Sequence, residues 1–182
     1  MGTNSLAHRT TWLRSDLSNF NARARATNFT NETLKEAILY AKFRNVKVNL
    51  TLNTLLKQEE LDEAVSLAVF AYNSGVDAII IQDLGLASFL HKYYPEIVLH
   101  ASTQMTVHNL EGVKQLEKIG FKRVVLAREL SISEIEYIRK NTDIELEIFI
   151  HGALCISYSG QCLFSSMVGN RSGNRGMCAQ PC

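Results

Sequence analysis

The sequence has no long apolar segment. No run approaches the roughly 18 consecutive apolar residues that suggest a membrane span. The first residues, Met1 to Arg14, also lack the continuous apolar stretch of a secretory signal. These absences argue against a membrane partner and make the cytoplasm the default expectation for location.

The sequence also has no excess of charge of either sign. Nineteen Lys and Arg residues stand against eighteen Asp and Glu residues, which gives a formal net charge of +1. Overall charge therefore neither demands nor excludes a nucleic-acid partner. With 182 residues and 46% hydrophobic content, the chain can bury one substantial core, so one domain or part of one is expected.

The common local motifs of hydrolases are missing. There is no Gly-x-Ser-x-Gly elbow, which places a serine nucleophile on a sharp turn, and no His-Glu-x-x-His helix, which binds catalytic zinc. The residues alone therefore give no support for proteolysis. A cysteine nucleophile stays open, since His151 lies four positions before Cys155 and could activate its thiol.

Apolar runs rich in β-branched residues alternate with segments of helical period from Asn31 onward. This alternation predicts parallel β/α units, in a (β/α) barrel or an open doubly wound sheet. Polar strand ends favour a barrel-like array, specifically an incomplete TIM-type barrel. The predicted strands are Val46 to Leu52, Asp77 to Ile81, Ile97 to His100, Arg123 to Ala127 and Glu145 to Ile150. The predicted helices are Asn31 to Arg44, Gln58 to Asn73, Leu86 to Tyr93, Leu110 to Ile119 and Ile132 to Lys140, with Gly75 and Gly120 as helix stops.

Polar residues follow nearly every predicted strand, at the end where barrel enzymes hold their active sites. They are Asn53, Gln82, Asp83, Ser102 to Gln104, Arg128, Glu129 and His151. The alternative is that they are ordinary turn and capping residues. Gln104, Arg128 and Glu129 are poor caps, so they and His151 are the catalytic candidates. His100 and His108 are interpreted as structural, and Glu111 as a first-turn charge.

Cysteine is absent before position 155, and all four cysteines then fall within the last 28 positions: Cys155, Cys162, Cys178 and Cys182. This clustering in a Gly-rich loop favours metal ligation over disulfide stapling. Four thiolates suit a [4Fe-4S] cluster or zinc, and the six residues between the first two are atypical of a zinc knuckle. Two alternatives remain: free cysteines that pack as small hydrophobes, or a redox disulfide between Cys178 and Cys182.

Two long motifs carry a family resemblance. The segment from Glu147 through His151, Cys155 and Cys162, and the segment Asn174 to Cys182, resemble the signature of the peptidase U32 family, the collagenase-like proteases. Weaker matches extend the resemblance over roughly Ser18 to Cys182. One departure is Phe164, where the family usually carries an aliphatic residue.

The resemblance implies an iron–sulfur protein with a barrel-like domain. It implies cluster ligands at Cys155, Cys162 and Cys178, with Cys182 as a possible substitute for a fourth ligand. Similar members act in hydroxylation of tRNA, rRNA or ubiquinone precursors, while others carry a protease label. RNA or a peptide is therefore the expected substrate.

An RNA substrate would need contacts to phosphate. Arg171 and Arg175, within the cysteine loop, are the candidates. Arg23 and Arg25 are interpreted as surface residues.

Three regions are expected: a divergent segment over residues 1–17, a partial barrel over 18–150 and a metal-binding loop over 151–182. The family pattern starts with two further strand segments and continues past Cys182, so the chain resembles a fragment. A barrel lacking strands would expose sheet edges, which predicts self-association. An inactive truncated product is thus a further interpretation.

Overall fold

A computed structural model describes Thr10–Thr11, Phe20, residues 30–152 and residues 154–182. Its strands are β1 (Thr10–Thr11), β2 (Lys47–Leu52), β3 (Ala78–Ile81), β4 (Leu99–Ala101), β5 (Arg123–Val125) and β6 (Glu145–Glu147). Its helices are α1 (Asn31–Lys42), α2 (Leu61–Ser74), α3 (Leu84–Tyr93), α4 (Leu110–Ile119), α5 (Ile132–Lys140) and α6 (Phe164–Gly169).

The sheet runs in one direction and in chain order. Strands β1 to β6 lie side by side in sequence, and every neighbouring pair is parallel. A doubly wound sheet reverses its strand order at a switch point, whereas sequential order with right-handed crossovers keeps the connecting helices on one face. The topology is therefore that of a (β/α) barrel, as predicted.

One face of this sheet forms the hydrophobic core with the helices. Leu50, Ile79 and Leu99 are buried there against helix residues such as Ile38 and Leu86. Burial of such side chains contributes about 1.5–3 kcal/mol each to folding. This packing fixes the sheet and hence the positions of the loops at its carboxyl end.

The opposite face carries several polar and charged residues. His100 is in register with Ile80 and Arg123, and Arg123 is in register with Glu145, so these residues share a face. Arg123 donates to Glu145 at 2.6 Å and to Glu147 at 3.2 Å. Burial, with a smaller effect of the Arg123 charge, lowers the pKa of His100 to about 4. Burial raises the pKa of Glu147.

Most predicted elements are confirmed, with different ends. Helices α4 and α5 have the predicted bounds, and Gly75 and Gly120 end helices with φ of 96° and 105°. The last strand ends at Glu147 instead of Ile150, because only three of its residues pair with β5.

Two elements were not predicted from the sequence. Strand β1 lies within residues 1–17, where no strand was expected, and it pairs with Lys47 and Val48 of β2. Two paired residues are too short to give an alternating pattern. Helix α6 forms inside the segment that was predicted to be loop. No helix among the described residues is long and apolar enough to cross a membrane.

Candidate cysteine site and barrel rim

The carboxyl ends of the parallel strands form one edge of the sheet, called the rim below. Two of the polar residues predicted there are helix caps: Asp83 accepts from the amide of Leu86 at 2.9 Å, and Ser102 accepts from the amide of Gln104 at 3.2 Å. Asn53 donates from Nδ2 to Ser102 Oγ at 3.4 Å. For Asp83 and Ser102, capping is the observed role.

Gln104 lies in the turn Thr103–Met105, which follows β4. Its main-chain oxygen accepts from Gln82 Nε2 at 3.3 Å, and Thr106 Oγ1 lies at the same distance from it. Gly160, from the cysteine loop, packs directly on this main chain with φ of 80°, and a Cβ at this position would clash with the Gln104 carbonyl. Glycine is thus required where the cysteine loop meets the rim.

The same loop is fixed to the rim through Ser159, which is buried. Thr106 donates from Oγ1 to the Ser159 carbonyl at 2.6 Å, and Arg128 donates from Nε to Ser159 Oγ at 2.8 Å. Gln161 donates from Nε2 to Thr106 Oγ1 at 2.8 Å. The catalytic candidate Arg128 therefore holds the loop that lies between Cys155 and Cys162.

His108 and the candidate Glu129 face each other beside this junction. His108 Nδ1 lies 2.7 Å from the carbonyl oxygen of Thr106, so Nδ1 carries the hydrogen and donates. His108 Nε2 lies 3.9 Å from Glu129 Oε2, and the edge of the ring meets Tyr158. His108 was interpreted as structural; it lies at the rim, next to the candidate residues.

Arg175 joins the far end of the cysteine loop to the segment that precedes α2. Its guanidinium donates to both oxygens of Glu60, at 2.9 and 2.7 Å, and to the Leu55 carbonyl at 3.0 Å. The bonds from Arg175, followed by a bond from the Lys57 amide, lower the pKa of Glu60 to about 2. Arg171 donates from Nε to the Met177 carbonyl at 3.1 Å. Both candidate phosphate contacts thus already bind within the protein.

The four cysteines are free thiols, three of them exposed and Cys162 half-buried. Gly173 lies between two of them: a Cβ built on it falls 3.6 Å from Cys178 Cβ and 3.9 Å from the Cys162 carbonyl oxygen. The amide of Gln180 donates to Cys178 Sγ at 3.4 Å. Amide-to-sulfur bonds of this kind tune iron–sulfur ligands.

The other candidates are not brought together in the same way. Within residues 30–152 and 154–182, no group of three or more His, Cys, Asp or Glu side chains converges on one point that could hold a metal ion. Cys155, Cys182 and His151 are exposed. The donor set suits a thiolate-bound cluster, and the structure brings two of its members, Cys162 and Cys178, to the same glycine.

Sequence reasoning missed Glu60, Thr106, Ser159 and Gln161 as contributors to the site. The Arg175–Glu60 pair spans 115 positions and the Thr106–Gln161 pair spans 55, so no local pattern connects them. Ser159 and Gln161 lie within the recognised cysteine motif, and that proximity was the one available signal.

These features define a (β/α)-barrel protein whose carboxyl-terminal cysteine loop is packed on the barrel rim. The sequence profile of peptidase family U32 matches residues 15–182. The chain belongs to the peptidase U32 family.

Curated relatives extend the comparison. The chain is 44% identical over 163 residues to a 23S rRNA 5-hydroxycytidine synthase of Escherichia coli, covering 90% of this chain and 24% of that protein. It is 36% identical to tRNA hydroxylation protein P of Escherichia coli, covering 90% and 36%. It is 33% identical to a collagenase of Porphyromonas gingivalis, covering 91% and 42%. The chain therefore spans less than half the length of these relatives.

Solved structures agree on the fold. The U32 peptidase Mk0906 superimposes with a TM-score of 0.63 at 15% identity, over 76% of this chain and 59% of that one. The putative copper homeostasis protein CutC of Streptococcus agalactiae superimposes with a TM-score of 0.58 at 16% identity, over 76% and 77%. At these identities the likeness concerns the fold alone.

Proposed function

We propose that this chain forms the barrel and thiolate portion of an enzyme that hydroxylates RNA. The observation that carries the proposal is identity of 36–44% over about nine-tenths of the chain to proteins named for rRNA and tRNA hydroxylation. The matched region includes the entire cysteine loop, because the family profile extends to Cys182. Fold likeness alone would not support a function.

We further propose that the loop binds an iron–sulfur cluster, with Cys155, Cys162 and Cys178 as ligands and Cys182 as a candidate fourth. The placement of Cys162 and Cys178 beside Gly173, and the amide bond to Cys178 Sγ, support this proposal. Such a cluster supplies one-electron redox chemistry when bound. Zinc is the alternative metal.

The residues of the rim have separate roles in this proposal. Arg128, Thr106 and Gly160 hold the loop against the strand ends, and Arg175 holds its distal part against Glu60. Glu129 and His108 supply an ionisable pair beside this junction. Because the two proposed phosphate contacts are occupied internally, we assign Arg171 and Arg175 to positioning of the loop.

The metal is tested by anaerobic reconstitution with iron and sulfide, followed by the visible absorption spectrum and a count of iron, sulfide and zinc. We expect a coloured protein with stoichiometric iron and sulfide, and strong loss of both in Cys162→Ser and Cys178→Ser. The control variant is Ser133→Ala, at an exposed position of α5. A serine within the cysteine loop would not serve, because Ser165 is buried and its hydroxyl accepts from the Ala179 amide. A colourless protein that holds one zinc ion would overturn the proposal of an iron–sulfur cluster.

A collagenase-like peptidase is the second candidate function, favoured by the collagenase among the relatives. The two functions are separated by complementation of a deletion strain with the full-length protein, its Cys155→Ala variant and its Glu129→Ala variant. RNA nucleosides are examined by mass spectrometry for gain of one oxygen atom, and gelatin is the peptidase substrate. Oxygen gain without gelatin cleavage supports hydroxylation, and cleavage without oxygen gain rejects it.

A further inference from the structure

Three polar side chains lie next to each other where β2, β3 and β4 end, on the face of the sheet opposite the helices. Leu52 is in register with Ile81, and Ile81 with Ala101. The residues that follow them, Asn53, Gln82 and Ser102, therefore lie side by side at the rim. The bond from Asn53 Nδ2 to Ser102 Oγ, which reaches across the end of β3, is consistent with this placement.

The side-chain amide of Gln82 donates a hydrogen bond from Nε2, but its oxygen Oε1 has no hydrogen-bond partner. Its Nε2 donates to the Gln104 main-chain oxygen, and this contact fixes the amide orientation, because the reverse would oppose two oxygens. Its Oε1 is buried without a hydrogen-bond partner, on a residue that is only 6% exposed. A buried amide oxygen without a partner is unfavourable and uncommon.

A neighbouring glutamine shows the same pattern. Gln104 Oε1 is also buried without a partner. His108 Nδ1 donates to the Thr106 carbonyl, and its Nε2 is buried without a hydrogen bond, 3.9 Å from Glu129 Oε2. The two bare oxygens, Gln82 Oε1 and Gln104 Oε1, are called the acceptor cluster below. Acceptors of this kind match a ligand that carries N–H donors.

The acceptor cluster adjoins the proposed cluster-binding loop. Thr106 contacts Gln104, His108 and Ser159, and Gly160 packs on Gln104 two positions before Cys162. A group held by the acceptor cluster therefore lies beside the cysteine loop, where a reacting substrate of this site would need to be.

We infer that Gln82 and Gln104 recognise the N–H edge of the nucleobase that the enzyme modifies. This inference rests on the proposed RNA-hydroxylating function. Glutamine amides pair with the edges of unstacked bases, and proteins that act on a single base draw it out of the helix into such a pocket. A peptide chain also carries N–H donors, and it is the competing ligand in the test.

The test measures equilibrium binding of cytidine and uridine to the full chain. N4,N4-Dimethylcytidine and 3-methyluridine are the comparison ligands, since methylation removes their donors without altering the protein. We expect at least one parent nucleoside to bind about tenfold more tightly than its methylated form, as loss of one buried hydrogen bond predicts. Equal binding of parent and methylated forms, or no binding, would overturn the inference. It would indicate that water, and not a nucleobase, hydrogen-bonds to the two oxygens.

Variants extend the test to the residues. Gln82→Met keeps the length of the side chain and removes both amide groups, and Gln115→Met on the exposed face of α4 is the matched control. We expect Gln82→Met to lose nucleoside binding with little change in Tm, because loss of the bond from Nε2 to the Gln104 carbonyl is offset by removal of the unpaired buried Oε1. A Gly-Pro peptide that binds in place of nucleosides, and is lost in Gln82→Met, would instead assign the amides to a peptide.

Binding of a nucleoside needs no iron and no electron donor. If the protein binds nucleosides through their N–H donors but does not hydroxylate RNA, the proposed reaction is rejected and the recognition site is retained. Full hydroxylation by Gln82→Met would reject the recognition site and keep the reaction.

Discussion

Arg175 donates from Nη1 and Nη2 to the two carboxylate oxygens of Glu60, across 115 positions of sequence. The same guanidinium also donates to the Leu55 carbonyl. The two side chains are 24% and 20% exposed, so solvent screens the pair only in part. This contact joins the segment that carries Cys178 to the barrel.

Arg175→Lys should destabilise the protein by about 1–2 kcal/mol, because Lys cannot reproduce the two parallel bonds. The effect should appear as a lower urea midpoint and, after reconstitution, a lower iron content. Arg139→Lys is the matched control, since Arg139 is exposed and its Nη1 donates to the nearby Thr142 carbonyl. An unchanged urea midpoint in Arg175→Lys would show that the pair does not hold the loop.

The Glu60 carboxylate should make stability depend on acid pH. Bonds from Arg175 and, to a smaller extent, from the Lys57 amide lower its pKa from 4.5 to about 2 in the folded protein, so the unfolded chain binds the proton more readily. The stabilisation is complete above about pH 4.5 and declines as pH falls towards 2. Urea midpoints measured across this range should fall less steeply in Glu60→Gln than in the unaltered protein. Parallel pH profiles would contradict this assignment.

His100 should contribute a second acid-dependent change in a higher range. Burial lowers its pKa from 6.5 to about 4 when folded, so between these values the unfolded state binds a proton that the folded state does not. Its contribution therefore declines as pH falls from about 6.5 to 4 and then levels off. The groups facing it, Arg123, Glu145 and Lys47, keep their charges in a His100→Gln variant. That variant should lose the slope between pH 6.5 and 4, as measured by urea unfolding.

Gly160→Ala should displace the cysteine loop from the rim. An added Cβ meets the Gln104 carbonyl, and φ of 80° is strained for any other residue, so a loss of about 1–3 kcal/mol is expected. Gly169→Ala is the matched control, because nothing lies within 4 Å of its Cβ position and its φ is not in the left-handed region. Thermal unfolding and iron content would both fall for Gly160→Ala only. An equal response of the two variants would show that the close approach to Gln104 is not required.

Much of the barrel follows from local sequence patterns. Segments of helical period predicted α4 and α5 with their observed bounds, and glycines predicted the ends of α2 and α4. Apolar β-branched runs predicted β2 to β6. The pattern could not reveal β1, since two residues pair with β2 through main-chain bonds that place no demand on side chains.

The sequence by itself determined that the chain is a β/α protein of the U32 family with four clustered cysteines. These properties depend on residue type and on the spacing of residues along the chain, and both can be read directly from the sequence. Tertiary structure alone decided which polar residues share the rim. Sequential strand order brings Gln82 beside Ser102, and the loop contacts of Arg128 and Arg175 set the cysteines against the barrel. Contacts between residues tens of positions apart arise only when the chain packs, so no local pattern encodes them.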